Sequence, residues 1–253
     1  MTDCFLNEVF SAVQGEGPLV GVRQLFIRFS MCDLRCIWCD TRESLIRQDY
    51  CNVETKAGSR DFIQIKNPVT LNDLLFYLKN LDLLNHHSIS ITGGEPLLQY
   101  KFLENFLLQF KNQFKLPVYL ETAGHKPHEL KSVIKYVDYI SMDIKLPSSS
   151  RNKELWDAHK KFLATSVSSN KEVWVKIVVT RDTSILDLFI SVNLVKAICK
   201  NKKAVEIFLQ PVTKIRDILP PTEKELLNMQ SKLLEIYPYV RVVPQMHVLG
   251  GIK

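Results

Sequence analysis

A chain of 253 residues with 46% hydrophobic side chains can bury one large core, and α/β barrels of this size usually form a single domain. The sequence contains no run of eighteen apolar residues and no basic-then-apolar leader, which disfavours a membrane-spanning or secreted protein. The net charge of +6 lacks the dense basic stripe of nucleic-acid-binding proteins, although it favours small anionic substrates. We therefore expect one cytoplasmic domain over residues 1–253, with neither nucleic acid nor membrane as a partner.

The N-terminal region combines a short strand, a polar turn and a longer strand. Residues 8–10 begin with Glu8 and are otherwise apolar, and the segment from Ser11 to Pro18 that follows is rich in turn formers. Two glycines around Glu16 would let the backbone approach a ligand closely, although a simple hairpin turn is the alternative. Strand 24–30 alternates so that Arg28 points away from the aliphatic face. Arg28 is thus a candidate clamp for an anion, with a surface salt bridge as the alternative.

The rest of the chain alternates strands and helices after an irregular stretch. Residues 49–68 lose periodicity and are expected to form a variable insertion, for which a hairpin is one possible form. Strands are then predicted at 88–92, 118–121, 139–144, 172–180, 205–210 and 240–243. Helices are predicted at 71–81, 98–113, 127–135, 152–165, 186–200 and 222–235. This order predicts an α/β fold whose sheet of about six parallel strands forms a partial, incomplete TIM-like barrel.

Polar motifs follow the predicted strands at the edge where such folds place their chemistry. The motifs at successive strand ends are the segment from Met31 to Thr41, Thr92 to Pro96, Glu121 to Gly124, Asp143 to Lys145, Thr180 with Arg181, and Gln210 with Pro211. Near the C-terminus, Gln245 and His247 are expected on one extended face, where they could contact the edge of a heterocycle. A purely structural histidine is the alternative for His247.

The segment from Met31 to Thr41 contains three closely spaced cysteines, Cys32, Cys36 and Cys39. A structural zinc site would need a fourth ligand, and no second Cys or Cys/His pair follows. A [4Fe–4S] cluster held by three cysteines keeps one iron open for a non-protein ligand. A set of small buried side chains is disfavoured because Asp33, Arg35 and Asp40 make the segment polar. The spacing therefore favours an iron–sulfur cluster.

The pattern Cys-x3-Cys-x2-Cys, with an aromatic residue before the third cysteine, resembles the signature of the radical S-adenosylmethionine (SAM) enzymes. The resemblance implies that the open iron binds SAM and that an electron from the cluster cleaves it to methionine and a 5′-deoxyadenosyl radical. The sequence Gly93-Gly94-Glu95-Pro96 is similar to the motif that contacts the methionine amino group in those enzymes. An ordinary strand-to-helix turn would have the same placement.

Within this superfamily, the chain resembles the 7-carboxy-7-deazaguanine synthases almost from end to end. The motifs that carry the resemblance are Gln14 to Gly17, Arg28, Cys36 to Thr41, Gly93 to Pro96, Glu121 with Thr122, Lys145 to Ser149, Gln210 with Pro211, and Gln245 with His247. That family is implied to use a compact partial barrel, usually a homodimer, and a reducing partner such as flavodoxin or ferredoxin. It converts 6-carboxy-5,6,7,8-tetrahydropterin to 7-carboxy-7-deazaguanine with loss of ammonia, assisted by Mg²⁺, in queuosine biosynthesis.

The resemblance also implies a set of site residues. Pterin contacts are implied for Val13, Gln14, Gly15, Arg28, Thr92, Gln245, His247 and Lys253. SAM contacts are implied for Trp38, Gly94, Asp143, Ile144, Lys145 and Gln210, although many family members have Ser-Pro-Lys where this chain has Asp143-Ile144-Lys145. Metal contacts are implied for Cys32, Cys36 and Cys39 with the cluster and for Thr41 with Mg²⁺, with a cap of the following turn as the alternative for Thr41.

Two other functions remain as alternatives. A radical SAM activating enzyme, which makes a glycyl radical on a partner protein, has the same cysteine spacing. The motifs Gln14 to Gly17 and Gln245 with His247 argue against it. The second alternative is a non-catalytic iron–sulfur or zinc module.

Overall fold

The computed structural model describes residues 3–200 and 203–252. The strands are Asp3–Cys4 (β1), Leu6–Val13 (β2), Arg23–Phe29 (β3), Tyr50–Glu54 (β4), Phe62–Lys66 (β5), Val69–Thr70 (β6), Ser88–Gly93 (β7), Val118–Thr122 (β8), Tyr139–Asp143 (β9), Glu172–Val179 (β10), Glu206–Pro211 (β11) and Val240–Val242 (β12). The helices are Leu71–Asn80 (α1), Tyr100–Gln113 (α2), Pro127–Val133 (α3), Pro147–Ser150 (α4), Trp156–Ser168 (α5), Ile185–Cys199 (α6), Glu223–Leu234 (α7) and Met246–Leu249 (α8). Among these residues, no helix combines the length and the apolar character needed to cross a membrane.

Ten of these strands form one sheet in the order β12-β11-β10-β9-β8-β7-β3-β2-β4-β5. From β3 through β7 to β12, each strand pairs in parallel with its neighbour, and helices make the crossovers. Only β2 against β3 and β5 against β4 are antiparallel in this sheet. The two end strands of this order, β12 and β5, are not neighbours, so the sheet does not close into a full barrel. The predicted α/β partial barrel is confirmed.

The stretch 49–68 is a hairpin that extends the sheet. Its first strand, β4, pairs in parallel with β2. The buried carboxylate of Glu54 accepts hydrogen bonds from the backbone N–H groups of Ser11 and Arg60, both at 2.9 Å. The periodicity is weak because β5 has no buried residue on either face. The hairpin is therefore joined to β2 by strand pairing and by one buried carboxylate, whereas its status as a variable insertion stays a prediction.

Two predicted elements have bounds that differ from the structure by more than two residues at one or both ends. The strand predicted at 8–10 extends over β2, because Asn7, Glu8 and Ser11 are polar but buried. The helix predicted at 152–165 begins later, at Trp156, since Arg151 has a left-handed backbone conformation that ends the short helix α4. Both errors arise where tertiary contacts override a local polar pattern.

The main apolar core lies between the sheet and the helices. On β10, Val175 and Ile177 belong to this core, whereas Trp174 and Lys176 point to the opposite, inner face of the sheet. This alternation is the period of two expected of a strand. The inner face leads to a cavity at the carboxyl ends of the parallel strands.

Candidate active site

A cavity of about 330 Å³ at the carboxyl ends of the strands gathers nearly all of the residues indicated by the sequence. Those that line it are Val13, Gln14, Gly15, Arg28, Cys32, Cys36, Trp38, Cys39, Thr41, Thr92, Gly94, Asp143, Lys145, Gln210, Gln245 and His247. Ile144 does not line the cavity, because its side chain packs in the core with 1% of its surface exposed. Lys253 lies outside the described residues.

The three cysteines form one wall of this cavity as free thiols. Burial raises the pKa of Cys32 to about 11 and also raises the pKa of Cys36. The side chain of Asn152 donates to Cys36 Sγ at 3.1 Å, and such hydrogen bonds tune thiolate ligands. Among the described residues, no group of His, Cys, Asp or Glu is arranged around a single ion. Three thiols on one wall, with a hydrogen bond from Asn152 to one of them, fit a [4Fe–4S] cluster, in which each cysteine binds a different iron.

The two glycines after β7 bring the backbone against the cysteine segment. A Cβ atom on Gly93 would lie 2.1 Å from the carbonyl oxygen of Phe29, and one on Gly94 would lie 2.2 Å from that of Met31. Gly93 also has a φ of +128°, which side chains disfavour. The close approach lets the N–H of Gly94 donate to Phe29 and that of Glu95 to Met31, both at 2.9 Å. Glycine is thus required at both positions.

Glu95 of the same motif has a structural role at the end of β8. Its fully buried carboxylate accepts hydrogen bonds from Thr122 Oγ1 at 2.8 and 2.9 Å and from the N–H of Ala123 at 2.9 Å. Burial raises the pKa of this carboxyl, although these donors oppose the shift. Glu95 therefore ties the end of β7 to the end of β8.

One face of the cavity is formed by the turn after β2 and the C-terminal segment. The N–H of Met246 donates to the carbonyl of Gly15 at 3.0 Å, and a Cβ on Gly15 would lie 2.1 Å from Nδ1 of His247. The amide nitrogen of Gln245 donates to Glu16 at 3.1 Å and to Asp40 at 3.0 Å. The prediction that Gln245 and His247 share one face of an extended segment is wrong, because the helix α8 begins at Met246 and Gln245 is its N-cap. The two side chains nevertheless meet at the cavity.

Arg28 lines the cavity and is also paired. Its Nε donates to Glu8 Oε1 at 2.8 Å, and its guanidinium lies 5.7 Å from the ring centroid of Phe10. The Arg28 side chain is 17% exposed and that of Glu8 is 7% exposed, so this is not a surface salt bridge. The pairing through Nε orients the guanidinium and presents its other side to a ligand.

Thr41 lies at the start of a short 3₁₀ turn, Arg42–Leu45, on the cavity wall. Its carbonyl accepts from the N–H of Ser44 at 2.9 Å, but its side chain makes no capping hydrogen bond to this turn. The capping alternative therefore does not account for the hydroxyl.

A charged network lies between these walls, centred on a lysine that sequence reasoning missed. We call it the Lys176 network, and it comprises Lys176, Glu16, Glu121 and Asp143. The ammonium of Lys176 contacts Glu16 directly, Glu121 Oε1 at 2.9 Å and Asp143 Oδ1 at 3.4 Å. The last contact is an ion pair without a hydrogen bond, since Asp143 Oδ1 has no hydrogen-bond partner. Burial alone would lower the pKa of Lys176, but the three carboxylates raise it well above its usual range.

The side chains implied for SAM adjoin this network. Lys145 pairs with the carboxylate of Asp143, and its ammonium lies 4.6 Å from the ring centroid of Trp38. The indole Nε1 of Trp38 is buried without a hydrogen-bond partner. A buried donor in this state, beside ion-paired groups and the cysteine wall, fits a polar ligand such as SAM.

Comparison with known proteins places the chain in a family. A family model described as the Radical SAM superfamily matches residues 26–182. The chain is 38% identical over 249 residues to 7-carboxy-7-deazaguanine synthase of Geobacter sulfurreducens, covering 97% of this chain and 96% of that protein. It is 35% identical to the Thermococcus kodakarensis protein of the same name, covering 92% and 88% of the two chains. The crystal structure of QueE from Escherichia coli, at 19% identity, aligns over 97% of this chain and 95% of its own with a TM-score of 0.59, which supports the fold.

Proposed function

The chain belongs to the 7-carboxy-7-deazaguanine synthase family of the radical SAM superfamily, and on that premise we propose that it converts 6-carboxy-5,6,7,8-tetrahydropterin to 7-carboxy-7-deazaguanine by radical ring contraction with loss of ammonia. The observation that carries the proposal is a single cavity in which the cysteine wall faces the turn of Gln14 to Glu16 and the segment with Gln245 and His247. The glycyl-radical activating enzyme is disfavoured, since relatives that cover nearly the whole chain are named as the synthase.

The cavity walls divide the binding tasks. We assign the cluster to Cys32, Cys36 and Cys39, and SAM to the wall with Trp38, Gly94, Asp143, Lys145 and Gln210. When bound, the cluster and SAM supply a radical that takes a hydrogen atom from the substrate. The protein's own part is to exclude water and to orient both ligands. Ile144 stands between the proposed SAM contacts Asp143 and Lys145. Its backbone amide donates to the carbonyl of Lys176 at 2.9 Å, which holds the end of β9 against β10.

The opposite wall suits a pterin with a carboxylate. Arg28 supplies a fixed positive charge for the carboxylate, as a charge-assisted pair. The carboxylates of Glu16 and Glu121 are acceptors for N–H groups of the heterocycle. Val13, Gln14, Gly15, Thr92, Gln245 and His247 complete this wall, and Lys253 is proposed as a further contact. Since burial would raise the pKa of Glu16 but Lys176 lowers it, the carboxylate stays ionised in the closed site.

Three further parts of the proposal concern the setting of the reaction. We propose that the enzyme works in the cytoplasm as a homodimer of one-domain chains. A low-potential carrier such as flavodoxin or ferredoxin would deliver the electron. The free thiols support a reducing compartment, because disulfides are rare there.

Mg²⁺ is proposed to bind between Thr41 and the substrate. Mg²⁺ prefers several oxygen ligands and keeps waters, and a threonine hydroxyl is too weak to hold the ion alone. We therefore expect Thr41→Ala to lose most of the Mg²⁺ stimulation of product formation while retaining SAM cleavage. The measurement is product formation against Mg²⁺ concentration, with Thr41→Ser as the matched control. Unchanged Mg²⁺ dependence in a folded Thr41→Ala enzyme would remove the ion from this site.

The test of the function is an anaerobic assay of the iron- and sulfide-reconstituted protein. It is given SAM, a reductant, Mg²⁺ and 6-carboxy-5,6,7,8-tetrahydropterin, and the products are identified by mass spectrometry. We expect 7-carboxy-7-deazaguanine together with 5′-deoxyadenosine. SAM cleavage without the deazaguanine would refute the proposed substrate, and the absence of both iron and SAM cleavage would refute the radical SAM activity.

A further inference from the structure

Lys176 occupies the centre of the cavity floor, where the two walls meet. Lys176 is 5% exposed and lies directly opposite Asp143 of the neighbouring strand β9. Its ammonium is surrounded by carboxylates from three separate parts of the chain: Glu16 after β2, Glu121 on β8 and Asp143 on β9. One side chain therefore joins three strand ends.

The carboxylates around Lys176 reach in two directions. Glu16 accepts from the side-chain amides of Gln210 at 2.9 Å and Gln245 at 3.1 Å, on the side of the C-terminal segment. Glu121 accepts from Thr92 Oγ1 at 3.0 Å. Asp143 instead pairs with Lys145, which lies over Trp38. Gln210, which we assign to SAM, thus reaches the substrate-facing Glu16 by a neutral hydrogen bond, and Lys176 adds a charged link between the substrate-facing and SAM-facing sets of side chains.

Fold stability does not explain this arrangement. Removing a lysine and three carboxylates from water is costly, and buried ion pairs are frequently no more stabilising than apolar residues of the same volume. The neighbouring inner-face residue, Trp174, shows that an apolar side chain fits on this face of β10. A role in the reaction is the better explanation for a buried lysine here.

We propose that Lys176 is a positioning residue that holds the substrate-facing and SAM-facing walls of the cavity at a fixed separation. The inference rests on the proposed function, because it concerns how the two ligands are aligned. A reaction between bound ligands needs its atoms about 3–3.5 Å apart, and a misplacement of ~1 Å can cost ~100-fold in rate. Without the ammonium, the carboxylates repel one another, and the hydrogen bond from Gln210 to Glu16 alone does not keep the two walls at their fixed separation. SAM is then cleaved without reaction of the pterin.

The proposal is tested by the ratio of 5′-deoxyadenosine to deazaguanine product. For Lys176→Met, we expect product formation to fall by ~100-fold and this ratio to rise at least ~10-fold. Lys176→Arg keeps the positive charge and should recover part of the coupling. The matched control is Lys111→Met, which removes a lysine paired with Asp138 at 2.6 Å outside the cavity and should leave the ratio unchanged.

A second variant covers the case in which the single substitution prevents folding. Lys176→Met combined with Glu121→Gln removes one charge of each sign, so the buried net charge stays that of the wild type. Because Glu121 itself faces the substrate, the double variant is compared with Glu121→Gln alone, and a purely structural role of Lys176 predicts the same ratio in both proteins once they are folded and loaded with iron. We expect a higher ratio in the double variant than in Glu121→Gln, and equal ratios in these two folded proteins would overturn the proposal.

Binding without turnover gives an independent readout. With the cluster oxidised, calorimetry measures the affinity for 6-carboxy-5,6,7,8-tetrahydropterin with and without SAM. Because one ammonium orders both walls, SAM should tighten pterin binding by at least ~5-fold in the wild type and still measurably in Glu121→Gln, but hardly at all in the double variant. Equal coupling in Glu121→Gln and in the double variant would overturn the role of Lys176. Wild-type turnover tests the proposed function by itself, so the two failures can be told apart.

Discussion

Two buried layers of this molecule are built on opposite principles. The first is the phenylalanine layer on α2, formed by Phe102, Phe106 and Phe110, all fully buried, with ring centroids 6.0 and 5.7 Å apart. The second is the Lys176 network on the inner face of the sheet. Apolar burial contributes roughly 1.5–3 kcal/mol per large side chain, whereas buried charges must first offset their desolvation. The comparison teaches that stability resides mainly on the helix side and that the cavity side is shaped for its ligands.

The largest effect is expected where the cavity meets the cluster. Cys36→Ser should abolish product formation, because two thiolates do not hold a [4Fe–4S] cluster, while the fold persists. Iron content measures the cluster, circular dichroism measures the fold, and product analysis measures turnover. Cys51→Ala is the control, since Cys51 is buried in the core away from the cavity and should leave iron content unchanged. Full iron content and turnover in Cys36→Ser would contradict the cluster assignment.

A substitution in the phenylalanine layer should lower stability and leave the reaction unchanged. Phe106→Ala removes a fully buried ring and should lower the free energy of unfolding by about 3–5 kcal/mol. The ratio of 5′-deoxyadenosine to product should stay that of the wild type, because no atom of the cavity is changed. Denaturant unfolding measures the free energy of unfolding, and the anaerobic assay measures the ratio. Phe76→Ala, at a side chain that is 60% exposed, is the control with little change in stability. A raised ratio in Phe106→Ala would show that the two layers are not separable.

Arg28 sharpens the comparison because it is charged, partly buried and on the cavity side. Arg28→Ala should raise the KM for the pterin by roughly 10- to 100-fold, since a hydrogen bond to a charged group is worth about 1.5–3 kcal/mol. SAM affinity should not change. Glu8→Gln keeps the guanidinium and weakens only its partner, so its KM should stay close to that of the wild type. If Arg28→Ala weakened SAM and pterin binding equally, Arg28 would have a structural role.

The smallest effect is expected at a site that belongs to neither layer. Thr222 and Glu225 form a capping box at the start of α7, with Thr222 Oγ1 accepting from the N–H of Glu225 at 3.3 Å. Thr222→Ala should cost about 1 kcal/mol of stability and leave turnover unchanged. Thr222→Ser, which keeps the hydroxyl, is the matched control. A loss of product formation at equal iron content would mean that α7 supports the cavity directly.

Much of the fold could be predicted because its signals are local. Buried parallel strands and their crossover helices leave apolar periods, and Thr222 with Glu225 marks a helix start in four residues. The hairpin of residues 49–68 was less visible, since β5 has no buried face and its anchor, Glu54, is a buried charge.

The site was predictable in part for the same reason. Motifs that follow strand ends, such as Gly93-Gly94, are contiguous in sequence and meet in the cavity. The side chain of Ile144 packs in the core because neighbours at a strand end face opposite sides, with Asp143 pointing into the cavity, and the SAM contact of Ile144 stays a prediction. Lys176 was missed because its partners are far apart in the chain. Its one signal is a lone lysine among the apolar residues of β10, which gains meaning only when the sheet is assembled.

The central claim is that one cavity holds the cluster, SAM and the pterin side by side across the Lys176 network. The most direct measurement is an anaerobic crystal structure of the reconstituted protein with SAM and 6-carboxy-5,6,7,8-tetrahydropterin. We predict density for the cluster on Cys32, Cys36 and Cys39, for SAM beside Trp38 and Lys145, and for the pterin between Arg28 and Gln245. Pterin density outside this cavity, or a cluster on other ligands, would contradict the account.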